Sequence, residues 1–229
     1  MGQFWLHPAI SHLAHQIDGL FYLILWITGI AFVAVEGMLI YFLLRYRRRR
    51  SDAYGVSIHG NTPLEIIWTL VPAAIFVWLG VISVKYVYAI QTPPASPVKI
   101  QVIGHQWYWE FKYPGGLDTF NKFYVPEGVN VEFQITSVDV IHGFFIPRMR
   151  LQQDAVPGHE TILWLNADRT GNFMLRCDQY CGVQHAFMYT PMHVLPAAQW
   201  SAWLHGQEHP AAKAAAPRPH SGGAGGLRT

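Results

Sequence analysis

The chain has 229 residues, of which 51% are hydrophobic and 13% charged, with a formal net charge of +2. So low a charged fraction, against roughly 25% in soluble domains, marks a membrane protein that also carries a folded soluble part. The small net charge excludes nucleic acid as an electrostatically held partner.

The N-terminal tail holds His7, His12 and His15. No regular helical spacing unites them with other donors, so they read as solvated or partner-contacting side chains rather than ligands. From Leu20 to Leu44 the sequence is apolar, with Glu36 as its only charge. That length crosses the roughly 30 Å hydrocarbon layer with some tilt. An intramembrane acid such as Glu36 is a functional candidate by default, or a hydrogen-bonding partner for a neighbouring subunit's helix. The segment is too long for a signal-peptide core and lacks both a basic flank before it and a small-residue cleavage site after it.

Arg45, Arg47, Arg48, Arg49 and Arg50 abut this span. The positive-inside rule places them in the cytoplasm and both termini on the other side. A second apolar segment, Ile66 to Tyr88, contains Pro72, tolerated in a membrane helix when neighbours satisfy the freed carbonyl. Glu65 stands at its N-terminus, where it complements the helix dipole. Lys85 near the other end can snorkel.

Gln91 to Pro97 is a Pro-rich linker, and the texture then changes. VKIQVIGHQWYWEF, NKFYVPEG, VNVEFQITS, FFIP, ETILWLNA, GNFMLRC and MHVLP are short, partly alternating runs separated by Gly, Pro or Asp. They predict an antiparallel sandwich or barrel. The expected organisation is a tail and two-helix transmembrane hairpin over 1–90, a β domain over 91–196, and a short helix with a disordered Ala, Pro and Gly-rich tail over 197–229.

Both cysteines of the chain lie in CDQYCGVQHAFM, with His185 and Met188 following Cys177 and Cys181. Three readings are open. Two cysteines in an oxidising compartment can form a disulfide, if their Cα atoms fall within range. A structural zinc site would need a fourth N or S ligand from elsewhere, and Met is not a usual zinc ligand. Two thiolates, an imidazole and a thioether are what copper prefers, and Met188 favours that reading. A further imidazole would come from upstream. His142 in SVDVIHGFFIP is preferred over its rival His105 in GHQWYWEF, because the run around His142 is apolar enough to shield a metal.

A β-sandwich with metal ligands in a loop between its last strands has the cupredoxin plan. The hairpin, TPLEIIWTLVPA, GHQWYWEF, DVIHGFFIP, DAVPG and CDQYCGVQHAFM together resemble subunit II of the haem–copper cytochrome c oxidases across most of residues 17–205. The resemblance implies a dinuclear copper centre, copper A, bridged by Cys177 and Cys181. His142 and His185 would each hold one copper, with Met188 and the Gln179 carbonyl as axial ligands. Trp107 matches the residue through which electrons enter, although Trp107, Tyr108 and Trp109 could each be strand aromatics. Glu65 matches the carboxylate at the cytoplasmic mouth of a proton-uptake pathway in the neighbouring subunit.

The implied role is to accept single electrons from cytochrome c and pass them to subunit I. Oxygen is reduced to water there, with coupled proton translocation, so catalysis belongs to the complex. Subunit III is a further expected partner, and a bacterial-type inner membrane, with the copper domain outside, is the expected location. Gln179 replaces the family's Glu, whose side chain reaches a magnesium ion at the subunit I interface; losing that charge weakens the expectation of magnesium. Acidic residues near the site, Glu110, Asp139 and Asp178, are few, so steering of a basic cytochrome is expected to be weak. Alternatives are the copper A subunit of a nitric oxide reductase and a membrane-anchored copper-delivery protein. The related quinol-oxidase subunit is disfavoured because it lacks these cysteines.

Overall fold

The computed structural model describes residues 6–47 and 59–206. Arg48, Arg49 and Arg50 of the basic run and the expected disordered tail from 207 lie outside the described residues. The chain divides into a helical unit, Gln16–Ile90, and a second unit formed by Met1–His15 with Gln91–Thr229.

Helix α1 runs over His12–Arg45 and α2 over Thr62–Gln91, so both are longer than their apolar cores. The start of α1 corrects the reading of His12 and His15 as tail residues. Ser11 caps the helix by accepting the Ala14 N–H at 3.2 Å, which puts both histidines in its first turns. His15 also stands 3.4 Å from Asp168. At α2, Asn61 accepts the Leu64 N–H at 3.2 Å while Glu65 accepts the Asn61 N–H at 3.1 Å. That reciprocal arrangement satisfies donors which the first helical turn leaves open. Along both helices large apolar side chains are exposed, Trp26 at 71% and Phe76 at 74% among them. A helix that is apolar all round and longer than a bilayer is thick is built for lipid. Thr28 and Thr69 return their hydroxyls to the carbonyls of Ile24 and Glu65, both at 2.8 Å, so neither O–H is left without an acceptor.

The second unit is a sandwich of two five-stranded sheets. One has the order β3-β2-β1-β5-β8, comprising β1 (Val98–His105), β2 (Tyr108–Tyr113), β3 (Leu117–Phe120), β5 (Asn130–Ser137) and β8 (Thr161–Asn166). The other has the order β4-β10-β9-β6-β7, comprising β4 (Phe123–Pro126), β6 (His142–Ile146), β7 (Leu151–Ala155), β9 (Gly171–Cys177) and β10 (Tyr189–Leu195). Two pairings, β1 with β5 and β10 with β4, are parallel, which departs from the purely antiparallel expectation. The run VKIQVIGHQWYWEF is two strands, β1 and β2, turning at Gln106 and Trp107. β3 and β7 were not legible as strands. Both lie at sheet edges, where polar residues on unpaired sides break the apolar pattern.

Between the sheets Phe111 stacks on Phe123 at 4.6 Å, and Phe144 meets Trp109, Phe123 and Phe133 at 5.5 to 5.9 Å. Phe144→Ala should destabilise the domain by about 3–5 kcal/mol, because a fully buried ring leaves a cavity its rigid neighbours cannot fill. Thermal unfolding measures this, and a loss below 1 kcal/mol would mean that the core collapses around the gap.

Ala9 and Ile10 are fully buried in this same unit, where Ile10 exchanges backbone hydrogen bonds with Arg148 and Asp168. A last helix, α3 (Ala197–Leu204), buries Trp200 and Trp203 against Tyr113.

Candidate metal centre

Two neighbouring strands of the second sheet carry the site. β9 ends on Cys177, and antiparallel β6 begins on His142, with Phe144 registered opposite Cys177. The intervening loop returns through a short 3-10 turn, His185–Phe187, into β10. The Cys177 N–H donates to the Met188 carbonyl at 2.9 Å, closing the loop at its base.

Inside, the two sulfurs are 3.7 Å apart. A disulfide is about 2.05 Å long, so this is a pair of free thiols. The His142 Nδ1 lies 3.9 Å from Cys177 Sγ, and the His185 Nδ1 lies 3.6 Å from Cys181 Sγ. Met188 Sδ is 3.7 Å from Cys181 Sγ, while the Gln179 carbonyl is 3.2 Å from Cys177 Sγ. His142, Cys177, Cys181 and Met188 are buried; His185 is half-buried. His105, the rival imidazole, is engaged elsewhere, 2.9 Å from Glu110 and stacked on Tyr108.

This donor set fits a soft cation. Burial first, and then the charge of Cys177 beside it, push the Cys181 thiol up to about 12. Two thiolates so close in a dry pocket are costly unless a cation offsets them. The ligand atoms of His142, Cys177 and Cys181 all fall within 4.8 Å of one another, as a metal cluster requires.

Asp139 orients the fully buried His142 and was not assigned this task from sequence. Its Oδ1 lies 2.9 Å from His142 Nε2, which turns Nδ1 toward the sulfurs. The same carboxylate accepts the N–H of Gln106 at 2.7 Å and of Val140 at 2.6 Å. Burial alone would raise its pKa, but the bonds from His142, Gln106 and Val140 outweigh that and hold it below the usual carboxylate value. Gly104 is required by close approach, since a Cβ there would come 2.8 Å from the His142 ring.

Trp107 is half-buried, and its indole N–H donates to the Cys181 carbonyl at 3.2 Å. Gln106 donates to that carbonyl at 2.8 Å. Gly182, with φ at 119°, leaves the space the indole occupies, because a Cβ would lie 3.2 Å from its ring. Trp109, by contrast, is wholly buried, edge-on to His142. Glu65 belongs to the helical unit.

Comparison with known proteins identifies the relatives of this chain. The family described as "Cytochrome C oxidase subunit II, transmembrane domain" matches residues 1–86, and "Cytochrome C oxidase subunit II, periplasmic domain" matches residues 115–195. Cytochrome c oxidase subunit 2 of Cereibacter sphaeroides is 31% identical, over 86% of this chain and 78% of its own. The protein of the same name from Alkalihalophilus pseudofirmus is 34% identical, over 80% of this chain and 57% of its own. Among solved structures, the periplasmic domain of subunit II of cytochrome oxidase from Bradyrhizobium japonicum is 29% identical. It covers 51% of this chain and 96% of its own, with a TM-score of 0.49.

Proposed function

The chain belongs to the cytochrome c oxidase subunit II family, and from that premise we propose that its cysteine loop holds a dinuclear copper centre. The protein is a membrane-anchored subunit of a haem–copper oxidoreductase, the one through which electrons enter. The observation that carries the copper assignment is a pair of free, buried thiols 3.7 Å apart with an imidazole Nδ1 beside each. When bound, two coppers supply a one-electron relay.

Cys177 and Cys181 would supply the two thiolates of the proposed centre, His142 and His185 one imidazole each, and Met188 and the Gln179 carbonyl its weaker donors. The protein's own contribution is rigidity and dryness. Asp139 fixes one imidazole, the bond from Cys177 to Met188 fixes the loop, and burial excludes water, so donors need not rearrange when charge changes. These same features disfavour a delivery protein, which presents an exposed site. Magnesium is not part of the proposal, because the Gln179 side chain is exposed and uncharged.

Trp107 is the proposed contact for an external cytochrome c, since its hydrogen bond joins a half-exposed ring to the carbonyl of Cys181, a proposed copper ligand. Glu110 is paired with His105 and Lys112, so the negative charge beside the ring rests chiefly on Asp139. Weak steering suits a neutral, acidic or membrane-tethered donor. Trp107→Ala should leave copper content and absorption bands unchanged while electron uptake from cytochrome c falls sharply. Unaltered uptake would remove Trp107 from the route.

Subunit I, and beside it subunit III, are the proposed partners in the membrane. Arg45 and Arg47 and the basic run after them would lie in the cytoplasm, and both termini and the copper domain on the opposite side. Glu65, fixed in the first turn of α2, is the proposed mouth of proton uptake on the cytoplasmic side.

Copper loading of the purified full chain tests the centre. Two coppers per chain, a purple colour and an electron-spin-resonance pattern from one electron shared over two nuclei are expected. Gln179→Ala should keep all three, because only the main-chain carbonyl is used. A colourless product or a single-copper pattern would sink the dinuclear assignment.

A further inference from the structure

Beside the cysteine loop, the β unit carries a second feature that the proposed copper centre does not use. A groove of about 550 Å³ is lined by Arg148, Arg176, Asn172, His7, Phe173 and Met174, among others. Arg148 comes from the short turn Pro147–Met149, and Asn172, Met174 and Arg176 lie at alternate positions of β9, on one face. None of the lining residues is acidic. Neither arginine makes an ion pair among the described residues.

The Arg148 guanidinium sits over the Phe173 ring at 5.8 Å, and its Nε is buried with no acceptor. Such a donor is normally satisfied, because leaving it unmade costs about 1–3 kcal/mol, more when the group is charged. Asn172 pairs its Oδ1 with His193 Nδ1 at 2.7 Å, which leaves its amide N–H groups as donors. Two guanidinium groups and an amide therefore give the lining an excess of donors.

We propose that this groove is a binding site for a phosphate group. A lone carboxylate saturates one guanidinium fork, whereas two forks, an amide and an imidazole match the three or four oxygens of a phosphate. Two arginines also match its charge of nearly −2. Phe173 and Met174 add an apolar wall, suited to the organic part of a phosphate ester. A free phosphate and a lipid headgroup share this chemistry.

Calorimetric titration of the detergent-solubilised full chain separates the sources. One arm uses inorganic phosphate, and the other uses monomeric dihexanoyl phosphatidic acid, whose headgroup is a phosphomonoester, both against a chloride background of equal ionic strength. Saturable binding should appear in at least one arm and weaken by about tenfold in Arg176→Gln, the loss expected for one charged hydrogen bond. Lipid binding about tenfold tighter than phosphate binding identifies a headgroup; equal or weaker lipid binding identifies free phosphate. Arg148→Gln should have the same effect. Because Arg148 packs on Phe173, the exposed Arg176 carries the test if that variant does not fold. Absence of saturable binding in both arms, or binding undiminished in Arg176→Gln, overturns the site.

Discussion

Replacing Cys181 with serine is expected to abolish the shared-electron copper signal and to stop electron delivery into the assembled oxidase. A serine oxygen is hard and would hold soft copper far less well than a thiolate. The sulfur it replaces lies 3.7 Å from Cys177 Sγ, 3.6 Å from His185 Nδ1 and 3.7 Å from Met188 Sδ. The fold should survive, because serine is close to cysteine in size and the buried hydroxyl costs about 1–3 kcal/mol if unpaired. Copper content, electron-spin resonance and thermal unfolding of the same preparation separate loss of the centre from loss of the fold. Two coppers with an intact shared-electron pattern would refute the bridging role.

The second large effect is expected at a residue that touches no metal. Asp139→Asn should lower copper affinity by about 10–100-fold, the range for removing a carboxylate that orients a ligating histidine. The carboxylate accepts on both oxygens: His142 and Val140 at Oδ1, and Gln106 at Oδ2. An asparagine NH₂ opposes a donor whichever way it is turned. One orientation opposes the Gln106 N–H and so disturbs the turn carrying Trp107. The other opposes Val140 and His142 and rotates the imidazole. Competition with a copper chelator measures the affinity, and an unchanged value would show that burial alone holds His142.

Much of the fold was legible because its signals are local. The two spans are runs of apolar residues, and seven of the apolar stretches fall on strands of the sandwich. The start of α1 was misjudged, since Ser11 caps it well before the apolar run begins. Edge strands β3 and β7 escaped because an edge needs only one good face. The parallel pairings were invisible, because strand direction depends on the path of the whole chain.

The sequence by itself determined the donor set of the candidate centre. Two cysteines, a histidine and a methionine within one short loop are held together by chain connectivity, whatever the rest of the domain does. Only the tertiary structure decided that the sulfurs stand apart as free thiols and that His142, rather than His105, faces them. It alone set Asp139 behind that imidazole, placed the Trp107 indole on the Cys181 carbonyl, and drew Arg148 and Arg176 to one groove. The physical reason is separation along the chain. Groups that are distant in sequence meet only where strand register places them, and register is settled by burial of the whole sandwich core.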